Sequence, residues 1–505
     1  MMKLPLHLGL RAWLSVILMV LLASGLSLAQ RQAQSPPKAQ STAKSTTPVT
    51  SLATSGADTA KVLGLNDAYL LIQAYHPLIR QAVLMSEAAQ QDLRMAKGGF
   101  DPKATVDYAQ KFYNNKDYYT LLDAYVKVPT WIGLDVVGGY TKNTGLDLNS
   151  TENTADGKGL YYIGATLPIG AGLFMDQRRA VLRQAEMGIT MAEAERVKAI
   201  NKIVLQIAKD YWAWYEAWQT VQNNAFGYNL ALERFEAVKQ RVEGGDMARI
   251  DSVEARITVQ DRAISLQTAR LDLQQARLAF EVHLWADDNQ PRELMPNVVP
   301  AMPALGQEKT MLPTEQLLDM ANTRHPELIK LQTKLDQLEI DRRLSVENLK
   351  PTINLKYNYL SGKDGISNDF SSNFAQHNYQ FGVQAFMPLF LRKERGKLGL
   401  TKVKLSQGQL ELQQQRRTIQ NEIKSAAAEM STMSGLLVNQ QTMVQNYQTL
   451  RDAEVEKFIN GESSLFLVNS RESKLIEGRI KLASLQAKYQ KAQAYLRWAA
   501  GMGLE

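Results

Sequence analysis

The chain has 505 residues, 22% of them charged and 8% aromatic, with a formal net charge of +7 and no cysteine. That balance excludes a disordered chain, and beyond the N-terminus no apolar run reaches the ~20 residues of a membrane-spanning helix. The missing cysteines exclude disulfides, thiol catalysis, cysteine-ligated metal and an acylated lipoprotein anchor.

Residues 1–29 read as a secretory signal peptide. Lys3 and Arg11 form its charged region, Trp13 to Leu26 its apolar run, and Ser27 and Ala29 the small residues before a cut at Gln30. An uncleaved signal anchor is the alternative. Residues 30–60 are mostly Gln, Ser, Thr, Pro, Ala and Lys, which predicts a disordered linker, because such a composition buries too little apolar surface to offset the entropy of ordering.

From there one pattern runs through twice, as a first structural repeat at 61–300 and a second at 301–505. Leu63–Tyr75 predicts a short helix stopped before His76-Pro77. A second helix runs from Pro77 to about Lys97, where Gly98, Gly99 and Pro102 end it. His325-Pro326 and Pro351 stand 249 positions after His76-Pro77 and Pro102, a fixed offset that marks duplication.

Strands follow at about 103–168 and 352–388. Ile353, Leu355, Tyr357 and Tyr359 alternate with Thr352, Asn354, Lys356 and Asn358. Residues 379–387 and 161–167 behave alike. An apolar aromatic face backed by a polar one suits a membrane β-barrel strand, with a soluble half-buried sheet as the alternative. Polar loops, Thr141–Lys158 and Ser361–His377, join them. The halves differ here, because the extra stretch Tyr118–Lys127 and Trp131–Tyr140 is either an added hairpin or longer strands. About four membrane strands per chain are expected.

Two long polar helices come next. One runs from an Asp176 N-cap to about Val242 and the other from Arg392 to about Phe458, roughly 100 Å each. Glycine turns at Gly245 and Gly461 reverse the chain. In the return helices Val259, Leu266, Leu273 and Phe280 recur every seven residues, and so do Leu475, Leu482, Tyr489 and Leu496, 216 positions on. A strict seven-residue period implies coiled-coil packing. The fold class is mostly α with a β-barrel contribution: internally duplicated long antiparallel helical hairpins, with strands at one end. Four strands cannot close a barrel alone, and open sheet edges are not viable in lipid, so three chains giving twelve strands are expected.

This ordered set, found twice over residues 62–501, resembles the TolC-like outer-membrane efflux protein family. The resemblance implies a homotrimer in the cell outer membrane, with a twelve-stranded β-barrel and an α-barrel tunnel extending across the periplasm. It implies an exit duct for efflux or type I secretion that engages a periplasmic adaptor and an inner-membrane pump. It places adaptor contact at the periplasmic tip, here Gly244, Gly245, Gly461 and Leu465. The family often carries an acidic constriction six residues past the turn glycine; the first half keeps Asp251, while the second has Leu467, beside Leu465 and Phe466. For Asp251 the plainer reading is a favourable charge at a helix start.

Basic residues gather at the strand–helix junctions: Lys103, Arg178, Arg179, Lys350, Arg392, Lys393 and Arg395. Cations oppose the dipole at helix N-termini, so a membrane-interface belt facing lipid phosphates is expected, with a solvated belt as the alternative. No nucleotide-binding loop or catalytic constellation is present, and neither an enzyme nor a cofactor is expected. No nucleic-acid partner is expected either, since the positive charge is not clustered on one face among base-stacking aromatics. The competing functions are a periplasmic adaptor and a helical scaffold without a channel. An adaptor needs one hairpin, so the duplication argues against it.

Overall fold

The computed structural model describes residues 61–145, 148–149, 152–154, 158–303, 312–362 and 378–503, all within one compact unit, Thr59–Glu505. The expected signal peptide and linker lie outside the described residues, as do most of the expected loop Ser361–His377 and part of Thr141–Lys158. In chain order the first half holds β1 (Lys61–Leu63), α1 (Leu65–Tyr75), α2 (Pro77–Lys97), β2 (Lys103–Tyr113), β3 (Lys116–Pro129), β4 (Asp135–Thr144), β5 (Leu160–Pro168), α3 (Gln177–Glu243), α4 (Arg249–Glu281) and β6 (Val298–Pro300). The second holds α5 (Thr314–Arg324), α6 (Pro326–Glu347), β7 (Thr352–Ser361), β8 (Tyr379–Phe386), α7 (Arg392–Ile459) and α8 (Leu465–Ala499).

The His-Pro pairs separate the short helices by a capping device. His76 Nδ1 accepts a hydrogen bond from the Leu78 N–H, and His325 Nδ1 from the Glu327 N–H, each at 3.2 Å. The intervening proline has no N–H to satisfy. Burial, with the neighbouring His283 adding to it, pushes His76 down to about 4. Burial pushes His325 down to about 4 as well, with Lys198 reinforcing it against an opposing pull from Glu327. Both imidazoles therefore stay neutral, the form with an acceptor nitrogen.

The helices lie side by side in the order α2 with α4, then α3, then α6 with α8, then α7. Each long helix thus runs beside short helices set end to end. Ala68, Ile72, Ile79, Ile207 and Phe280 share one core cluster. Their repeat counterparts Leu317, Ala321, Leu328, Ile423 and Leu496 share another. The first core is the more aromatic: Trp214 stacks on Phe280 at 5.4 Å, and such a pair is worth ~0.5–1.5 kcal/mol beyond its buried area. Tyr211 also donates to the Leu63 carbonyl at 2.8 Å and accepts from the Ala301 N–H at 2.9 Å. It thereby ties down both ends of the first half, where β1 and β6 form a small parallel sheet that the sequence reading did not anticipate.

The main sheet is antiparallel in the order β2-β3-β4-β5-β7-β8, so among the described residues it holds six strands where about four were expected. The stretch left open in the sequence is an added hairpin within the same sheet. Between β2 and β3, Asn114 and Asn115, at φ 52° and 61°, make a two-residue turn with both positions left-handed, which matches strand twist. The registers carry one apolar face across all six strands: Tyr108 beside Leu122, Ala124 beside Tyr140, Tyr140 beside Tyr161, Ile163 beside Tyr359, and Tyr357 beside Phe381. The opposite face is polar, with the Tyr162 hydroxyl donating to Asp123 at 3.0 Å and Asn358 to Gln380 at 3.2 Å.

Candidate functional site

Two levels hold the candidate residues, the turn end of the hairpins and the strand–helix junction. The two turns are built alike. After α3, Gly244 is the last residue in helical conformation and Gly245 turns left-handed at φ +85°; after α7, Gly461 does the same at +79°. In each, the N–H past the glycine reaches back to a helix carbonyl, Asp246 to Arg241 at 2.9 Å and Glu462 to Lys457 at 2.8 Å. This is the left-handed cap that glycine adopts without steric cost. A Cβ at either glycine would meet no atom within 4 Å, so only backbone conformation demands glycine there.

The residues beyond the turns separate by burial. Leu465 opens α8 but is only 4% exposed and packs with Val238 and Ala255. Within the chain it joins the two hairpins and presents no docking surface, contrary to the expectation. Its neighbours Phe466 and Leu467 are on the surface, as is Ile250. Leu467 donates its N–H to the Ser464 hydroxyl, the N-cap of α8. Asp251 sits half-buried in the first turn of α4, where a carboxylate also favours the helix dipole.

Buried polar contacts bind one hairpin to the other near this end. The Arg234 guanidinium donates to Glu472, at 2.6 Å through one nitrogen and also through the other, and to Asn469 at 3.0 Å. Arg262 reaches the Ser473 hydroxyl at 2.5 Å. Within the second hairpin itself, Glu454 pairs with Arg471 at 3.5 Å and accepts from Ser463 at 2.5 Å. The Ser463 hydrogen bond, then that of Arg471, holds the Glu454 carboxyl below its ordinary range. Sequence reasoning missed this set, because each residue reads locally as one more charge on a solvated helix.

At the strand–helix junction the seven basic residues divide. Arg178 pairs with Asp135 at 3.0 Å and Asp176 at 3.2 Å. Arg179 pairs with Asp176 at 3.0 Å and donates to the carbonyls of Leu173 and Gly172. Burial raises the Asp176 carboxyl, but the backbone and side-chain hydrogen bonds from Arg179 and the charge of Arg178 outweigh it and leave the group below its ordinary value. Lys127 also meets Asp135, at 2.8 Å, so this network clamps the base of the added hairpin to the start of α3. Lys350 pairs with Glu347 at 2.7 Å and lies over the Phe174 ring. Lys103, Arg392, Lys393 and Arg395 are exposed, with Arg392 over the Phe390 ring. Large apolar side chains stand out at this level as well: Trp131, Phe174, Leu389 and Phe390.

Among the described residues no group of three or more His, Cys, Asp or Glu is placed to hold a metal, and no helix is long and apolar enough to cross a membrane.

Known proteins share this architecture. The outer membrane channel CmeC of Campylobacter jejuni matches with a TM-score of 0.62 at 15% identity, over 87% of this chain and 86% of that one. VceC of Vibrio cholerae matches at 0.60 and 14%, over 87% and 97%. The open state of the MtrE channel of Neisseria gonorrhoeae matches at 0.63 and 14%, over 90% and 94%. At such identities the likeness establishes the fold. No curated protein matches by sequence. Residues 317–502 match the sequence model of the outer membrane efflux protein family. Those residues are thus similar to the outer membrane efflux protein family, and the chain as a whole shares the fold of these channels.

Proposed function

We propose that the chain is the outer-membrane exit duct of a tripartite efflux or type I secretion system: a homotrimeric, non-enzymatic conduit working with a periplasmic adaptor and an inner-membrane pump. One observation carries this reading. A single chain joins a sheet with an unbroken apolar face to helices of 67 and 68 residues, which are too polar for lipid and roughly 100 Å long. The sheet suits the outer membrane and the helices a water-filled space below it. The exposed Lys103, Arg392, Lys393 and Arg395, with Trp131 and Phe390 beside them, suit the head-group level, where aromatic and basic side chains are favoured.

In this reading the turns at Gly244, Gly245 and Gly461 are where the adaptor docks, with Phe466 as an apolar contact, and Asp251 and Leu467 narrow the channel. The hairpin-joining contacts of Arg234 and Glu472 keep that end closed-packed. The experiment is in-cell photocrosslinking from an unnatural amino acid at Phe466. Capture of a periplasmic helical-hairpin protein, together with compound accumulation when the gene is deleted, supports the duct. Outer-membrane insertion with neither capture nor accumulation overturns it.

A further inference from the structure

The two halves of the chain present the same apolar tip at the strand–helix junction and treat the charge beside it differently. Phe174 and Phe390 stand 216 positions apart, the offset of the repeat, and each is 71% exposed. In the first half the cations of the junction are matched: Arg178 and Arg179 by Asp135 and Asp176, Lys127 by Asp135, and Lys350, which lies over Phe174, by Glu347. In the second half the repeat position of Asp176 is held by Arg392, whose guanidinium lies over the Phe390 ring at 5.2 Å. Lys393, Arg395 and Lys397 follow in the first two turns of α7, with Glu394 the one carboxylate among them. All four cations are exposed, and among the described residues none is in an ion pair.

Within the chain this arrangement is unfavourable. Cations at a helix start oppose the dipole. Arg392 with Arg395, and Lys393 with Lys397, are like charges three and four residues apart, which repel on one helix face. Just before them Leu391 turns inward at 8% exposed, while Leu389 stands out at 92% beside Phe390. An apolar tip is thus followed directly by uncompensated positive charge. From Arg392 to Lys397 the helix rises only ~8 Å, about one Debye length at physiological salt, so all four cations lie within reach of one charged surface level with the tip.

We propose that the start of α7 is a binding site for anionic phospholipid, in the leaflet on the helical side of the sheet. Leu389 and Phe390 enter the acyl boundary, and Arg392, Lys393, Arg395 and Lys397 hold the phosphate groups. A free phosphate would satisfy the cations and leave Leu389 and Phe390 in water; a phospholipid takes up both. The start of α3 has the same aromatic tip over a neutralised network, and it meets lipid without regard to charge. The site rests on the membrane reading above, and it is confined to the second half because Arg392 replaces the capping carboxylate of the first. One cation beside an anionic bilayer favours it about fivefold, so engagement of even one of the four is readable.

The chain has no cysteine, so Phe390→Cys and Phe174→Cys each place a single bimane fluorophore in the full-length protein, at matched positions. Each is reconstituted into mixed phosphatidylcholine and phosphatidylglycerol vesicles in which one lipid or the other carries brominated acyl chains, and the two quenching values give the local preference. At 390 phosphatidylglycerol is expected to be preferred about fivefold or more, falling towards parity at about 1 M salt, where the Debye length is ~3 Å. At 174 parity is expected. Adding Arg392→Gln, Lys393→Gln, Arg395→Gln and Lys397→Gln should bring 390 to parity with the fluorophore still quenched. Parity at 390 without those changes overturns the site, and a preference that survives them overturns its assignment to these cations. Equal preference at 390 and 174 overturns its confinement to the second half. Quenching by neither lipid at either position overturns the membrane reading itself.

Discussion

Removing one partner of the buried Arg234–Glu472 pair tests how the two hairpins are held. Glu472 is 5% exposed, and Arg234 spends its guanidinium on Glu472 and Asn469. Glu472→Leu leaves that cation with one neutral acceptor. Stranding a buried charge costs about 3–5 kcal/mol, whereas replacing both partners by apolar residues is close to neutral. At about 3 kcal/mol, local opening rises on the order of 10²-fold, because exchange tracks the free energy of local opening. Hydrogen exchange measured by mass spectrometry on peptides covering 460–475 should therefore accelerate strongly in Glu472→Leu. Arg234→Met/Glu472→Leu should return it to within about tenfold of the native protein. Unchanged exchange in the single variant, or a double variant as labile as the single, refutes the reasoning.

Gly461→Pro, or a branched residue at Gly245, breaks the left-handed turn and should abolish export while outer-membrane insertion continues; export assays with membrane fractionation check it. In single-channel recordings Leu467→Asp should strengthen block by trivalent cations, and Asp251→Asn should weaken it. Unaltered block in both removes these residues from the constriction. The capping histidines predict acid sensitivity. Their folded values of about 4 lie below the unfolded ~6.5, so the folded chain binds fewer protons and loses stability as pH falls from 6.5 through 4. About 1–2 kcal/mol is lost per histidine once partial solvent screening is allowed for. His325→Asn, which can cap without titrating, should cut the loss of stability between pH 7 and 4 by that one histidine's share, about 1–2 kcal/mol; an unchanged loss counts against histidine capping.

The parts of the fold visible in the sequence were those set by local chemistry. Gly245 and Gly461 announce left-handed turns, Asp176 an N-cap, and the prolines after His76 and His325 a helix break. The seven-residue period of α4 and α8 named their inward face because one face of a helix repeats at that spacing. What stayed hidden depends on partners distant in sequence. Arg234 and Glu472 are 238 positions apart, and a charge on a helix does not show which helix it will meet. Arg178 and Arg179 looked like cations placed against the dipole until Asp135 and Asp176 came into contact with them. Leu465 was named for adaptor contact because the resemblance put the tip there, whereas it packs inward on Val238 and Ala255. The strand count was ambiguous because Asn114-Asn115 is a hairpin turn only when both residues take positive φ, which asparagine tolerates but does not require.

Copies of this chain are predicted to enclose a pore. Purified assembled protein inserted into planar lipid bilayers, with current recorded across single insertions, tests it most directly. Discrete conductance steps of uniform size are predicted, altered by Leu467→Asp. Folded, assembled protein that inserts and passes no current contradicts it.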